Sequence, residues 1–113
     1  EDNEFEVINL AVKKAQGMIH EFYADGITLG EIADRLNMTQ EYLGTQFHKA
    51  VGEPFSIYIR NYRLSKAKEL LIGTQLKQYE VAERLGYTDA KYFARVFKEH
   101  VGMSPAEYRK SHR

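Results

Sequence analysis

The sequence contains no cysteine and only two prolines among its 113 residues. The lack of cysteine excludes a disulfide framework and a thiolate metal site. No apolar run approaches the roughly 18 residues of a membrane-spanning helix, and no secretory signal peptide is visible. A chain of this length predicts one compact domain, which we assign to residues 1–113.

The chain also has no net charge, because 16 acidic residues balance 16 basic ones. The two signs are nevertheless unevenly distributed. Residues 1–36 hold eight acidic and three basic side chains, a net charge of −5, whereas residues 37–113 hold 13 basic and eight acidic ones, a net charge of +5. Since a basic segment is an electrostatic signature of nucleic-acid binding, overall neutrality does not exclude DNA as a partner.

Two copies of one sequence pattern lie in the chain, at residues 29–60 and 78–110. Residues 31–36 read EIADRL and residues 80–85 read EVAERL, a shift of 49 positions. After the next turn the shift becomes 50, where Phe47 matches Phe97, so the second copy carries one extra residue near Asp89. Two copies are too few for a solenoid, which needs about three repeats. We therefore interpret the repeat as a duplicated supersecondary motif.

Each copy has the parts of a helix-turn-helix. A small residue stands where two helices must cross closely, a residue tolerant of positive φ stands in the turn, a threonine can cap the second helix, and two apolar residues four apart form its buried face. In the two copies these positions are Ala33 and Ala82, Asn37 and Gly86, Thr39 and Thr88, Leu43 with Phe47, and Phe93 with Phe97. A plain helical hairpin would explain one copy, but duplication with aligned turns and caps favours the helix-turn-helix.

One long helix is predicted between the two motifs, with Pro54 in its first turn and Gly73 in a left-handed conformation just past its end. Arg63 projects into the apolar arc of this helix, which favours a buried arginine paired with a carboxylate over a DNA contact. Apolar residues of helical spacing predict another helix at roughly residues 7–24. Capping-box patterns that begin at Thr28 and Ser104 predict two further helix starts.

The predicted fold is therefore all-α, with about seven helices and two helix-turn-helix subdomains joined by a long central helix. The first helix-turn-helix is placed at about residues 28–52, the linking helix at about 54–72 and the second helix-turn-helix at about 78–102. At 1.5 Å per residue, a linking helix of about 19 residues spans roughly 28 Å. That length suits two recognition helices in successive major-groove segments.

The residues of the two motifs and of the linking helix resemble the DNA-binding domain of the AraC/XylS family of bacterial transcription regulators. The resemblance covers about residues 8–110, and its most diagnostic stretch is GYTDAKYFARVFKEHVGMSPAEYR at residues 86–109. It implies a cytoplasmic, nucleoid-associated regulator that binds double-stranded DNA sequence-specifically, with two recognition helices in adjacent major-groove segments. It also implies an upstream sensor or receiver domain in the full-length protein. RNA polymerase is a further candidate partner, which the acidic residues 1–36 would suit.

The candidate DNA contacts lie in or just before the second helix of each motif. A recognition helix presents its N-terminal half to base edges, and arginine pairs bidentately with guanine. The candidate base-reading residues are Lys91, Arg95, Ala90, Gln40, Glu41, Thr45 and Gln46. The candidate DNA-backbone contacts are Thr39, His48, Lys49, Thr88, Tyr92 and Lys98. Glu41, Gly44 and Thr45 occupy base-reading positions of the family, but none of them is a strong base reader. We therefore expect the second motif to specify sequence and the first mainly to position the chain.

The polar residues show no nucleophile–base constellation and no metal-ligand spacing. We therefore predict no enzymatic activity, no catalytic residue, no metal and no cofactor. The alternative function is a helical protein-interaction module that contacts the transcription machinery without reading DNA sequence, which the acidic residues 1–36 would suit. DNA binding that weakens steeply with salt would distinguish the two functions.

Overall fold

A computed structural model describes the backbone of residues 2–113 and the side chains of residues 4–113. Over residues 2–113 the chain forms seven α-helices, a short 3-10 helix at Tyr23–Asp25 and no strand, which confirms the all-α prediction. The helices are α1 (Asp2–Phe22), α2 (Leu29–Arg35), α3 (Gln40–Val51), α4 (Phe55–Gly73), α5 (Gln78–Arg84), α6 (Ala90–Val101) and α7 (Pro105–Ser111). None of the described helices is both long and apolar enough to cross a bilayer.

The chain divides into two compact units, Glu1–Arg60 and Asn61–Arg113, and α4 runs through the boundary between them. The first unit contains α2 and α3 and the second contains α5 and α6, so each unit carries one copy of the repeat. The net charge divides at the same boundary, with −5 in residues 1–60 and +5 in residues 61–113. The assignment of one domain to residues 1–113 stays a prediction.

The first unit packs around Phe47 of α3, which is completely buried. Its ring makes edge-to-face contacts with Phe55 and Tyr58 at the start of α4, with ring centroids 6.1 and 5.3 Å apart. The buried residues of this core are Val12, Ala15, Ile19, Ile27, Ile32, Ala33, Leu43, Phe47 and Ile59. The apolar face predicted for α3 therefore forms the core, and the polar face of the same helix is left for solvent.

The second unit repeats this arrangement around Phe93 and Phe97 of α6, which are both completely buried. The Phe97 ring lies 5.9 Å from that of Phe93 and 5.6 Å from that of Tyr108 in α7, between ring centroids. Further buried residues of this unit are Leu64, Ala67, Leu71, Val81, Ala82, Leu85, Val96 and Pro105. The duplication seen in the sequence is thus a duplication of the core.

The turn between the two helices of each motif has the same backbone geometry in both copies. The residue that follows the turn donates its N–H to the carbonyl of the alanine five positions earlier, over 2.9 Å at Met38 and 3.0 Å at Tyr87. The residue before it is left-handed, with φ of 57° at Asn37 and 88° at Gly86. Asparagine and glycine are the residues that adopt this conformation at least cost, and the predicted turn positions are confirmed.

Capping boxes open α2 and α7, as predicted. Thr28 Oγ1 accepts the N–H of Glu31 over 3.1 Å, and the Glu31 carboxylate accepts the N–H of Thr28 over 3.1 Å. Ser104 and Glu107 make the same reciprocal pair, over 3.1 and 2.9 Å. Hydrogen bonding from the Ser104 backbone, and secondarily from its side chain, lowers the pKa of the Glu107 carboxyl below its usual value. The anionic form that caps the helix is therefore the favoured one.

The start of α6 differs from the prediction, because Asp89 and not Thr88 is the capping residue. The Asp89 carboxylate accepts the N–H of Lys91 over 2.8 Å and that of Tyr92 over 3.4 Å. The extra residue of the second copy precedes the helix and moves the capping position on by one. Asp89 therefore corresponds to Thr39 of the first motif, which caps α3.

Replacing Asp89 by alanine should lower the free energy of unfolding by about 0.5–2 kcal/mol, the usual range for loss of a helix cap. Thr88→Ala is the matched control and should cost less than about 0.5 kcal/mol, as for most exposed positions. Urea denaturation followed by circular dichroism measures both values. Equal losses, or a larger loss for Thr88→Ala, would contradict the assignment of the cap.

The ends of α4 also differ from the prediction by one residue. Pro54 precedes the helix, and its carbonyl accepts the N–H of Tyr58 over 3.0 Å. Gly73 is the last helical residue and is not left-handed. Thr74 follows the helix, and its hydroxyl donates to the Leu70 carbonyl over 2.6 Å. A threonine side chain therefore satisfies the helix end that we expected a left-handed glycine to close.

Candidate nucleic-acid interface

The predicted contact residues lie on α3 and α6 or just before them. Each of these helices buries its apolar face in the core of its own unit, so its other face is turned to solvent. Eleven of the predicted residues are exposed, namely Thr39, Gln40, Glu41, Thr45, His48, Lys49, Thr88, Lys91, Tyr92, Arg95 and Lys98. Gln46 and Ala90 are half-buried.

On α3, some of the polar groups already have partners within the protein. The Thr45 hydroxyl donates to the Glu41 carbonyl over 3.0 Å. The amide oxygen of Gln40 lies against the start of α2, where a β-carbon on Gly30 would be only 3.1 Å from it. The Glu41 carboxylate lies in the first turn of the helix, where it stabilises the helix dipole but repels a phosphate. This face of α3 therefore offers few groups that favour DNA.

Gly44 lies where α3 comes close to the first residue of α2. A β-carbon at this position would lie 3.2 Å from Leu29 Cδ2, so any larger residue would force the leucine side chain to move. Close packing within the first unit thus explains a glycine in the middle of a helix. Position 44 can contribute backbone, but no side chain, to an interface.

On α6, three exposed cations follow each other at intervals of four and three residues. Lys91, Arg95 and Lys98 therefore share one face of the helix, and we call them the basic stripe. The stripe begins within the first turn, next to the backbone N–H groups that Asp89 caps. It lies in the unit that carries the excess of positive charge. The two recognition helices therefore differ in their electrostatics, although their cores are alike.

A cluster of aromatic rings that we did not predict from the sequence lies beside Arg95. The Arg95 Cζ is 5.2 Å from the centroid of the Tyr92 ring. The Tyr92 ring is 6.2 Å from that of Tyr87, which in turn is 5.2 Å from the buried Phe93 ring. The Arg63 Cζ lies 5.8 Å from the Tyr87 centroid, so an aromatic ring is one of its neighbours. The spacing of Tyr92 and Arg95 could have indicated their contact, since residues three apart on a helix are neighbours.

The first unit also has an apolar groove of about 510 Å³ between α1 and the turn of its motif. Its lining includes Val7, Leu10 and Met38, with Tyr42 of α3 at its side. The polar residues Glu4, Lys14 and Asn37 also line this groove. Among the residues whose side chains are described, no three His, Asp or Glu form a group that could hold a metal ion.

Comparison with known proteins identifies the family. A profile of a helix-turn-helix domain matches residues 32–111. The uncharacterized HTH-type transcriptional regulator YtdP of Bacillus subtilis (strain 168) is 38% identical over 96 residues, which cover 85% of this chain and 12% of that protein. The xylose operon regulatory protein of Escherichia coli (strain K12) is 33% identical over 99 residues, which cover 88% of this chain and 25% of that protein. The chain thus spans a quarter or less of the length of these two relatives.

A solved structure agrees with the sequence comparison. The C-terminal domain of the two-component response regulator yesN from Fusobacterium nucleatum subsp. nucleatum ATCC 25586 superposes with a TM-score of 0.79 at 37% identity, covering 95% of this chain and 98% of that one. The helix-turn-helix profile covers most of the chain, from within α2 through α4 to the end of the second motif. The chain belongs to the AraC/XylS family of transcription regulators, of which it forms the helix-turn-helix DNA-binding domain.

Proposed function

We propose that the chain binds double-stranded DNA sequence-specifically by placing the N-terminal halves of α3 and α6 against base edges in the major groove. The observation that carries this proposal is the exposed basic stripe on α6, whose opposite face is fixed in the core. Recognition helices of helix-turn-helix proteins contact bases through their N-terminal residues. That both motifs of one chain engage one duplex stays a prediction from the sequence.

In this proposal α6 is the main sequence reader. Arg95 donates two in-plane hydrogen bonds to O6 and N7 of a guanine, and Lys91 contacts a neighbouring base from one turn earlier. Ala90 provides a methyl group that can contact a thymine methyl. We assign DNA-backbone contacts to Thr88, Tyr92 and Lys98.

Helix α3 makes fewer favourable contacts and mainly positions the chain. Gln40, Glu41, Thr45 and Gln46 are the residues that can face bases, and none of them is a cation. The phosphate contacts of this motif are assigned to Thr39, His48 and Lys49. Because neutral and acidic side chains gain little from the DNA potential, we expect this motif to add affinity with little base preference.

Selection of bound sequences from a random double-stranded DNA library tests the proposal. We expect one enriched sequence, whose affinity falls with salt by about 0.9 units of log K per unit of log salt for each phosphate contacted. An enriched duplex also provides the preferred DNA for all further measurements. Salt-insensitive binding, or no enriched sequence, would overturn the proposal and favour the protein-interaction alternative.

Replacing Lys98 by alanine should weaken binding to every duplex alike and reduce the salt slope by about one unit. Lys98 lies one turn beyond Arg95, outside the N-terminal half of α6 that we place against base edges, so it is placed to contact a phosphate. Titration of the preferred and a scrambled duplex at several salt concentrations measures the effect. Lys110→Ala removes the same charge from α7 and should leave the slope nearly unchanged. A loss confined to the preferred duplex would contradict the phosphate assignment.

We further propose that a sensor or receiver domain precedes this domain in the full-length protein, which acts at the nucleoid in the cytoplasm. Two findings support this proposal. The chain covers only a small part of the length of its relatives, and it is similar to the C-terminal domain of a response regulator. RNA polymerase is the second proposed partner, suited by the acidic first unit. Adding purified polymerase to the DNA-bound chain tests this partner, and an unchanged mobility would contradict it.

A further inference from the structure

We propose that Tyr92 is a positioning residue for Arg95, and that its ring, not its hydroxyl, determines how well the second motif discriminates bases. The inference deepens the proposed function, on which it rests, since it concerns how the main base reader is held. It gives Tyr92 a role in addition to the DNA-backbone contact that the sequence predicts for this residue.

The contacts form a continuous path from the guanidinium to the core of the second unit. Arg95 lies with its Cζ 5.2 Å from the Tyr92 centroid, a cation–π distance. Tyr92 is itself 48% exposed, so burial alone does not fix its ring. The ring has Tyr87 as a neighbour at 6.2 Å, and Tyr87 lies 5.2 Å from Phe93, which is completely buried. The position of Arg95 is therefore linked through these rings to the buried core of the unit.

The geometry of an arginine side chain makes this support compatible with base reading. The guanidinium is planar, and its five N–H donors lie in that plane. An aromatic ring that stacks on the face of the guanidinium uses none of these donors. The edge that pairs with guanine O6 and N7 stays available, while the long side chain loses rotamer freedom before DNA arrives. Support of this kind reduces the entropy lost on binding and so increases affinity for the correct base.

The first motif provides an internal comparison. Tyr42 and Thr45 occupy the positions of Tyr92 and Arg95, at the shift of 50 that relates the two copies. The first motif thus has the tyrosine without the cation, and Tyr42 lines the apolar groove beside α1 instead. Tyr42→Leu is therefore a matched control that removes an equally placed ring with no arginine to support.

The experiment measures the affinities of Tyr92→Leu, Tyr92→Phe, Tyr42→Leu, Arg95→Ala and the double variant Tyr92→Leu/Arg95→Ala. Each is titrated with the preferred duplex and with a duplex altered at the base pair whose preference Arg95→Ala relaxes. The ratio of the two affinities is the discrimination. Circular dichroism and melting temperature check that Tyr92→Leu keeps the fold.

We expect Tyr92→Leu to reduce the discrimination about two- to five-fold, the range that corresponds to an exposed cation–π contact. Tyr92→Phe keeps the ring and should stay within about two-fold of the unmodified chain, as should Tyr42→Leu. In the Arg95→Ala background, Tyr92→Leu should change the discrimination no further, because the group that it positions is absent.

Three results would overturn the inference while leaving the proposed function intact. A loss as large in Tyr92→Phe as in Tyr92→Leu would assign the effect to the hydroxyl. A loss by Tyr92→Leu that is equal on both duplexes, or unchanged in the Arg95→Ala background, would indicate a role independent of the arginine. If Arg95→Ala itself relaxes no base preference, base reading by Arg95 is wrong and the inference falls with it.

Discussion

Replacing Phe97 by alanine is expected to lower the free energy of unfolding by about 3–5 kcal/mol, the largest effect of any variant considered. The side chain is completely buried, and its ring contacts Phe93 and Tyr108. Removing it deletes the ring and leaves a cavity, because helices that are held by their other contacts collapse only in part. Urea denaturation followed by circular dichroism measures the loss.

Tyr79→Ala is the matched control for this stability measurement. It removes an aromatic ring from the same unit, but the Tyr79 side chain is 56% exposed. Its replacement should therefore change the free energy of unfolding by less than about 0.5 kcal/mol. A loss for Phe97→Ala no larger than that for Tyr79→Ala would mean that the second unit is not organised around Phe97.

Arg95→Ala should reduce binding to the preferred duplex by about 1–3 kcal/mol and relax the preference at one or two base pairs. The arginine is exposed on the basic stripe of α6, and its planar fork matches the two acceptors of guanine. Titration of the preferred and a scrambled duplex gives both the loss of affinity and the loss of discrimination.

Thr45→Ala is the matched variant in the first motif and should cost less than about 1 kcal/mol, the net value of one neutral hydrogen bond. The Thr45 hydroxyl already donates its hydrogen to the Glu41 carbonyl, so only its acceptor capacity is left for DNA. Both variants should keep the melting temperature of the unmodified chain, because both side chains are exposed. Equal losses, or a larger loss for Thr45→Ala, would make the first motif the main reader.

Much of each motif was predictable because the interactions that form it are local. A left-handed turn at Asn37 or Gly86 and a capping box at Thr28 or Ser104 each leave a signature within a few residues. Apolar residues four apart on α3 and α6 indicate which face is buried. The duplication supplies the signals for the turn and for the buried face twice, so the fold and the exposed face of each recognition helix follow from the sequence.

What could not be predicted depends on choices between neighbouring residues or on contacts distant in sequence. Thr88 and Asp89 are both good caps, and the path of the turn decides between them. The sequence shows that Gly44 lowers the helix propensity of α3. It does not show why glycine is needed there, which is the close approach of Leu29, fifteen positions earlier. The spacing of Tyr92 and Arg95 allows a contact between them, but that the guanidinium lies at the Tyr92 ring required the side-chain positions themselves.

The division of charge between the two units has a consequence for the order of events on DNA. The second unit, at +5, is attracted to a polyanion, whereas the first unit, at −5, is repelled by it. We therefore expect the second unit to make the encounter and the first to bind afterwards as a tethered partner, at an effective concentration on the order of millimolar. Because this second step is intramolecular, contacts that are too weak to bind DNA alone can still hold the first unit on it. Helix α3 can thus be a poor reader of sequence and still set the residence time of the chain on its site.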